Sequence, residues 1–140
     1  MTFRGIYEYV IDDRGRVAIP ARYRDLFSPG IVLAQGPDGC VEVYTIEDYE
    51  RVSEFVLSEP ANQHRGRRLR RGFFSLSWDG ELDRQGRILI PVPLRQWADL
   101  NGPVVVTGRR DCLEIWNADR WQSEKVAIEQ EFGGELEALS

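Results

Sequence analysis

Apolar and polar positions alternate along the start of the chain, give way to helical spacing, and then recur in the same order in the second half. Residues 3–11 are aromatic and β-branched with rough alternation, which predicts a strand. Residues 12–15, Asp-Asp-Arg-Gly, predict a turn. An aspartate can bond the backbone two residues on, and Gly15 can take a positive φ without a Cβ clash. Alternation resumes at residue 16, with Val17 and Ile19 on one face and Arg16 and Ala18 on the other. Pro20 cannot donate to a ladder and suits a first helical turn, so it predicts a strand end and a short helix over 21–27, closed by Pro29-Gly30. Residues 31–34 and 41–44 form two apolar strands around the turn Gly36-Pro37-Asp38-Gly39. Thr45, with Asp48 three residues later, predicts the N-cap of a helix over 46–57, with Ile46, Tyr49, Val52 and Val56 near helical spacing.

The second half repeats this order. Residues 11–20, Ile-Asp-Asp-Arg-Gly-Arg-Val-Ala-Ile-Pro, match residues 82–91, Leu-Asp-Arg-Gln-Gly-Arg-Ile-Leu-Ile-Pro, at an offset of 71 that also places Arg24 on Arg95. One inserted residue later, Cys40-Val41-Glu42-Val43-Tyr44 matches Cys112-Leu113-Glu114-Ile115-Trp116, and Tyr49 falls on Trp121. The pattern predicts a strand region over 73–82 broken at Trp78-Asp79-Gly80, a turn over 83–86 and a strand over 87–90. A short helix opened by Pro91 and closed by Asn101-Gly102 follows, then a hairpin of residues 104–107 and 113–116. Asn117 caps a last helix over 118–132, with Trp121, Ile128 and Phe132 turned inward and Gly133-Gly134 ending it. The paired aromatics Tyr44, Tyr49, Trp116 and Trp121 are expected in the core rather than stacked on bases. The organisation is therefore a first module over 1–59, a connector with an Arg-rich helix over 60–72, and a second module over 73–140. Two repeats are too few for a solenoid. Each module is too small for a good core alone, and lending strands to its mate would close exposed edges. The expected class is α+β, mainly β, with two like modules about a pseudo-twofold axis.

Composition narrows the function. Hydrophobic residues make up 42% of the 140, enough for a packed core. No apolar run approaches the roughly 20 residues needed to span a bilayer, and no signal-like segment opens the chain, so a cytoplasmic protein is expected. Cys40 and Cys112 lack CxxC spacing and are expected to be buried, reduced thiols. His64 is the single histidine, in an Arg-rich stretch, and no metal site, cofactor site, small-molecule site or catalytic set is expected. The net charge of −5, taken alone, argues against a nucleic-acid partner, but the distribution weakens that argument. Arg65, Arg67, Arg68, Arg70 and Arg71 crowd one segment, Arg4, Arg14, Arg16, Arg22 and Arg24 enrich the N-terminus, and the acids gather in the tail. A local basic surface binds a polyanion, not the molecular sum.

The opening Phe3-Arg4-Gly5, the two Asp-x-x-Gly-Arg turns followed by strand and proline, Asp38-Gly39-Cys40 running into Val43-Tyr44, the Arg70-x-x-Phe73-Phe74-Ser75 stretch and Glu114-Ile115-Trp116 resemble the MraZ family. The resemblance spans nearly the whole chain. It implies tandem SpoVT-AbrB-type domains, that is, two swapped-hairpin modules closed into a barrel with flanking helices. It also implies a homo-oligomeric ring, octameric or dodecameric, that is nucleoid-associated. Such a ring binds short direct repeats of double-stranded DNA ahead of the division and cell-wall gene cluster and represses its own operon. The family's Asp-x-x-x-Arg signature falls here on Asp12 with Arg16 and on Asp83 with Arg87. The hydrophilic connector and the Trp78-Asp79-Gly80 segment depart from the family pattern.

The expected DNA-binding residues are Arg4, Asp12, Arg14, Gly15, Arg16, Asp83, Gly86 and Arg87. In each turn the glycine permits the reversal, and the aspartate can hold the arginine four residues on in one orientation. A preset fork loses less side-chain entropy on binding. It can pair with guanine O6 and N7, or grip a phosphate without reading sequence. An internal ion pair that only pins the hairpin fits the same spacing. Arg4 is expected near the same end as the turns, and Arg24 and Arg95 are expected to pair with carboxylates inside the fold. The Arg65–Arg71 cluster fits a subunit contact, a solvated face or DNA. Asp12 and Asp83 could pair as acid and base, but the neighbouring arginines lower carboxylate pKa values, which suits ion pairs and not a general acid. The expectation is a binding protein and not an enzyme. The alternative class is an antitoxin-like or scaffold ring that binds protein and has no specific DNA site.

Overall fold

The computed structural model describes residues 2–140. In order the elements are β1 (Ile6–Val10), β2 (Arg16–Ala18), a 3-10 helix (Ala21–Phe27), β3 (Ile31–Gln35), β4 (Val41–Thr45), α1 (Ile46–Leu57), α2 (His64–Phe74), β5 (Ser77–Gly80), β6 (Arg87–Leu89), α3 (Val92–Ala98), β7 (Pro103–Gly108), β8 (Leu113–Asn117) and α4 (Ala118–Leu139). Thr45 caps α1 as expected, its Oγ1 accepting from the Asp48 N–H at 3.1 Å. Asn117 caps α4 by accepting from the N–H groups of Asp119 and Arg120.

The strands interleave the two halves of the chain. Six of them form one antiparallel sheet in the order β1-β7-β8-β4-β3-β5, so β1 pairs with the second half's hairpin and β5 with the first half's. The other two, β2 and β6, pair with each other as a separate two-stranded ribbon, with Val17 opposite Ile88. The expected closed barrel is not formed: β1 and β5 remain the two ends of the large sheet. The ribbon strands are three residues each and each runs to a proline, Pro20 or Pro91, which cannot extend a ladder across the gap.

The main core fills the space between ribbon and sheet. Val17, Ile19, Ile88 and Ile90 meet Leu33, Val41, Val43, Leu113 and Ile115, all fully buried. Each such side chain contributes about 1.5–3 kcal/mol relative to exposure. Alternation sends Glu42, Tyr44, Glu114 and Trp116 to the opposite face of the sheet. There Tyr44, Val32 and Cys112 pack with Tyr49 of α1 in a smaller core.

Four local expectations fail. Phe73 and Phe74 end α2 instead of opening a strand, because both rings pack on Tyr49, with centroids 5.8 and 6.2 Å away. The segment expected as a break, Trp78-Asp79-Gly80, is itself strand β5, placing Trp78 opposite Leu33. The last helix runs through Gly133-Gly134 to Leu139, carried by the helix formers Glu135, Leu136, Glu137, Ala138 and Leu139. None of the α4 residues is buried, and Phe132, expected inward, is 48% exposed. At α3, the residue that turns the chain is Asp99, left-handed at φ 53°, two positions before the expected Asn101-Gly102.

Candidate nucleic-acid interface

The ribbon brings both Asp-x-x-Gly-Arg turns together. In the first turn Asp12 Oδ1 accepts from the N–H groups of Arg14 (3.0 Å) and Arg16 (2.8 Å), while Oδ2 accepts from Arg16 Nε at 2.8 Å. In the second turn Asp83 Oδ1 accepts from the N–H groups of Gln85 (2.9 Å) and Arg87 (3.0 Å), and Oδ2 accepts from Arg87 Nε at 3.3 Å. One carboxylate oxygen thus shapes the turn and the other aims the arginine. The two turns also cross: Arg87 Nη1 lies 3.4 Å from Asp12 Oδ2, and Arg16 Nη1 lies 3.7 Å from Asp83 Oδ2. The result is a reciprocal tetrad of Asp12, Arg16, Asp83 and Arg87.

The tetrad is neither free surface nor core. The side chains keep 25–26% exposure at Asp12 and Arg16 and 28–33% at Arg87 and Asp83, so the guanidiniums are held and still reachable. Backbone donation from Arg16 holds Asp12 below its ordinary carboxylate value, and with the Arg16 side chain and the Arg14 N–H it outweighs the desolvation that pushes the other way. Backbone donation from Arg87 lowers Asp83 likewise, with Gln85 N–H and the Arg87 charge adding to it. Both carboxylates are therefore kept ionised as guanidinium holders and not as proton donors. On one side the tetrad opens into a depression of about 500 Å³ bordered by Asp79 and Glu81. Arg16 and Arg87 line the same depression, so it carries both signs of charge.

A second pair of arginines locks the frame. Arg24 Nε donates to the Ile19 carbonyl at 2.9 Å, and Arg95 Nε donates to the Ile90 carbonyl at 2.8 Å. The expected carboxylate pairing of Arg24 and Arg95 does not occur: the ends of the ribbon strands offer main-chain acceptors first. Each guanidinium lies over the glycine of the other half's turn, Arg95 over Gly15 and Arg24 over Gly86. A Cβ on Gly15 would stand 2.5 Å from Arg95 Cζ, and Gly15 and Gly86 also hold positive φ, at 82° and 75°. Both glycines thus serve the turn twice, by conformation and by close approach.

The remaining expected residues separate. Arg14 and Arg84 are exposed at the turn tips. Arg4 is exposed but is not brought to them. The bridge of Phe3 with Arg110 and the Tyr23 hydroxyl on the Arg4 backbone hold Arg4 beside the far end of β1, where Ile6 faces Thr107, whereas Asp12 follows the Val10–Pro103 end. In the Arg-rich helix, Arg65 pairs with Glu59, Arg67 donates to the Ala61 carbonyl and Arg70 donates to the Leu57 and Glu59 carbonyls. Arg68 and Arg71 are exposed. Cys40 and Cys112 are free and buried; burial first, then nearby carboxylates, pushes both thiols up, at Cys112 against the Arg109 charge, and leaves them unreactive. No cluster able to hold a metal ion occurs among the described residues.

One polar cluster escapes the sequence reading. Glu42 and Glu114 are repeat mates that face each other across β4 and β8, at 9% and 7% exposure. Arg109 Nη1 bonds both, Glu42 Oε2 at 2.6 Å and Glu114 Oε2 at 3.0 Å, and its Nη2 donates to the Tyr44 hydroxyl at 3.1 Å. The signal was present: a glutamate sits between Cys and an aromatic at alternate positions in both halves, on the face that alternation buries. Arg109 itself has Pro37 at its counterpart position, so the repeat gave no pointer to it.

The sequence matches the family described as "MraZ protein, putative antitoxin-like" over residues 2–72 and 74–133. A protein of Roseiflexus castenholzii is 43% identical over 127 residues, covering 91% of this chain and 89% of its own. One of Frankia alni is 38% identical over 130 residues, covering 93% and 91%, and one of Dehalococcoides mccartyi is 35% identical over 138 residues, covering 98% and 97%. All three bear the name "Transcriptional regulator MraZ". With its two matched segments, each bearing one of the turns that meet in the tetrad, the chain belongs to the MraZ family.

Proposed function

We propose that the chain is a DNA-binding transcriptional regulator, a nucleoid-associated repressor acting at short direct repeats in the promoter of the division and cell-wall gene cluster. In this reading residues 1–59 and 73–140 are two swapped-hairpin modules joined by residues 60–72, and the tetrad is the base reader. The observation that carries the reading is the reciprocal hold on Arg16 and Arg87. Two guanidiniums are aimed, partly exposed and set side by side, which is the arrangement that guanine O6 and N7 or a pair of phosphates takes up. Gly15 and Gly86 keep the turns tight, Asp12 and Asp83 orient the forks, and Arg14 supplies a flanking cation. The names borne by the relatives support the same reading.

The tetrad carries two acids and two bases, so its pull on a polyanion is weak for one subunit. Several subunits on one DNA would raise avidity without new contacts. Two features support self-association into a ring. Along α4 Val126, Phe132, Leu136 and Leu139 are exposed beside Glu129, Glu131 and Glu135. Between α1 and α2 runs a groove of about 630 Å³ with Phe55, Leu69 and Phe73 below and His64, Arg65 and Arg68 along it. An acidic, apolar helix from a second copy matches a basic, apolar groove in both charge and character.

The test is a gel-shift titration with the DNA immediately upstream of the gene against a scrambled duplex. Wild-type protein is expected to prefer the upstream DNA, with affinity falling steeply as salt rises. Arg16→Ala and Arg87→Ala are each expected to cost about tenfold or more, the range of one lost bidentate base contact. Equal binding to both duplexes, unchanged by either substitution, refutes the reading and favours a ring that binds protein partners.

A further inference from the structure

The two turns share a frame but present different side chains at their tips. At the offset of 71, Asp13-Arg14 of the first turn stands where Arg84-Gln85 stands in the second. All four residues are exposed. The backbones match: Arg14 and Gln85 donate their N–H groups to the aspartate of their own turn, at 3.0 and 2.9 Å. The difference lies in the side chains. Gln85 Oε1 accepts from Arg87 Nη2. Arg14, at the equivalent place, has no acceptor to offer Arg16 and carries a like charge. Arg87 is therefore held by Asp83, Asp12 and Gln85, and Arg16 by the two aspartates alone. With its oxygen engaged on Arg87, the exposed Gln85 amide keeps two N–H donors for a further partner.

We infer that Gln85 is a positioning and specificity-determining residue that gives the paired turns a direction. The inference rests on the reading of the tetrad as a DNA reader. One half of each DNA element meets Arg87 in a fixed pose with the Gln85 amide beside it, a pair that fits the acceptor edge of guanine and an acceptor on the neighbouring base. The other half meets Arg16 flanked by the exposed cation of Arg14, which fits guanine beside a phosphate. A twofold frame with unlike tips binds an element in one orientation only, so the element read by a subunit is not palindromic.

The experiment is selection from a randomised DNA duplex, followed by sequencing, with the full-length chain as wild type, Gln85→Ala and the exchange Arg14→Gln with Gln85→Arg. Thermal melting of each variant checks the fold, which these exposed positions leave intact. Wild type is expected to enrich a non-palindromic element. Gln85→Ala is expected to lose about tenfold of base preference in one half of that element and leave the other half unchanged. The exchange is expected to reverse the order of the two halves. A palindromic wild-type element overturns the inference, as does a Gln85→Ala effect that is absent or spread equally over both halves. Those results leave DNA reading by Arg16 and Arg87 standing. A wild type that enriches no element removes the DNA reading and this inference together.

Discussion

Replacing Arg109 by alanine is expected to destabilise the fold by about 3–4 kcal/mol, the range for a buried charge left without its partner. Arg109 makes five side-chain hydrogen bonds, but they are unequal in worth. The two to Asp111 end on a side chain 48% exposed, and surface pairing of that kind contributes about 0–1 kcal/mol. The bonds to Glu42 and Glu114 decide the outcome. Those side chains are only 11% and 9% exposed and face each other across the β4–β8 pair, so Arg109 is the cation that lets two like charges share one buried face. Without it each carboxylate loses its partner, and their mutual repulsion goes unscreened by water. The residual bonds, Tyr44 hydroxyl to Glu42 and Trp116 Nε1 to Glu114, hold the acids in place and keep them from turning outward. For a chain of 140 residues the loss corresponds to a fall in melting temperature of about 10 °C. The assay is thermal and urea denaturation followed by circular dichroism, at one protomer concentration throughout, since association shifts apparent stability. Adding Glu42→Gln and Glu114→Gln to Arg109→Ala is expected to recover more than half of the loss, because neutral amides can be buried with the bonds that remain. A loss below about 1 kcal/mol, or no recovery in the triple variant, refutes the charge argument.

Three further outcomes are expected. Gly15→Ala should cost about 1–3 kcal/mol from its positive φ alone, and more once Arg95 is displaced, whereas Gly134→Ala, with open space around it inside α4, should stabilise by up to about 1 kcal/mol; urea denaturation of both separates the two effects. Asp12 and Asp83 have folded-state pKa values below the ordinary 3.8, so their contribution to stability is present above that value and is lost as pH falls through the lower one. Carboxyl NMR titration should give both midpoints below 3.8, with the Asp12 midpoint rising in Arg16→Ala, and a wild-type midpoint at or above 3.8 would contradict the geometry. Phe132→Asp, placed on the exposed stripe of α4, should leave the melting of a single subunit unchanged and reduce the mass seen by light scattering.

The turns were the most legible part of the chain because their chemistry is local. An aspartate, a glycine and an arginine within five positions fix an Asx-type turn and a held guanidinium before any tertiary contact forms. The repeat then announced that two such turns exist, though not that they touch. The cross-bonds of Arg87 to Asp12 and Arg16 to Asp83 depend on the β2–β6 pairing, a contact between residues some seventy positions apart that no local pattern carries. Arg4 shows the opposite failure. Closeness in sequence to the first turn suggested closeness in space, but a strand carries the chain away at about 3.3 Å per residue, and β1 leaves Arg4 at its other end. Phe73 and Phe74 look like strand residues by composition, and the ring of Tyr49 on α1 decided for helix. In each case the sequence is silent where a distant partner outweighs local preference.

Charge balance at the tetrad bears directly on how a protein of net charge −5 can read DNA. A patch of unpaired arginines would bind any duplex, because counterion release rewards cations regardless of sequence. In the tetrad each guanidinium already has a carboxylate, so a phosphate offers it little that it lacks. What the carboxylates leave unsatisfied is directional: the outward N–H groups of two oriented forks. A guanine edge that meets those donors in register gains bonds without breaking the Asp12 and Asp83 contacts, while a base that presents a donor there meets only repulsion. On the proposed reading, the acids that lower the pull on nucleic acid in general are the same groups that make the remaining pull depend on sequence. Removing the acid should therefore separate the two quantities. Asp12→Asn is expected to raise affinity for scrambled DNA and to lower the ratio of upstream to scrambled binding. A variant that lost both affinities in proportion would mean that Asp12 only holds the turn.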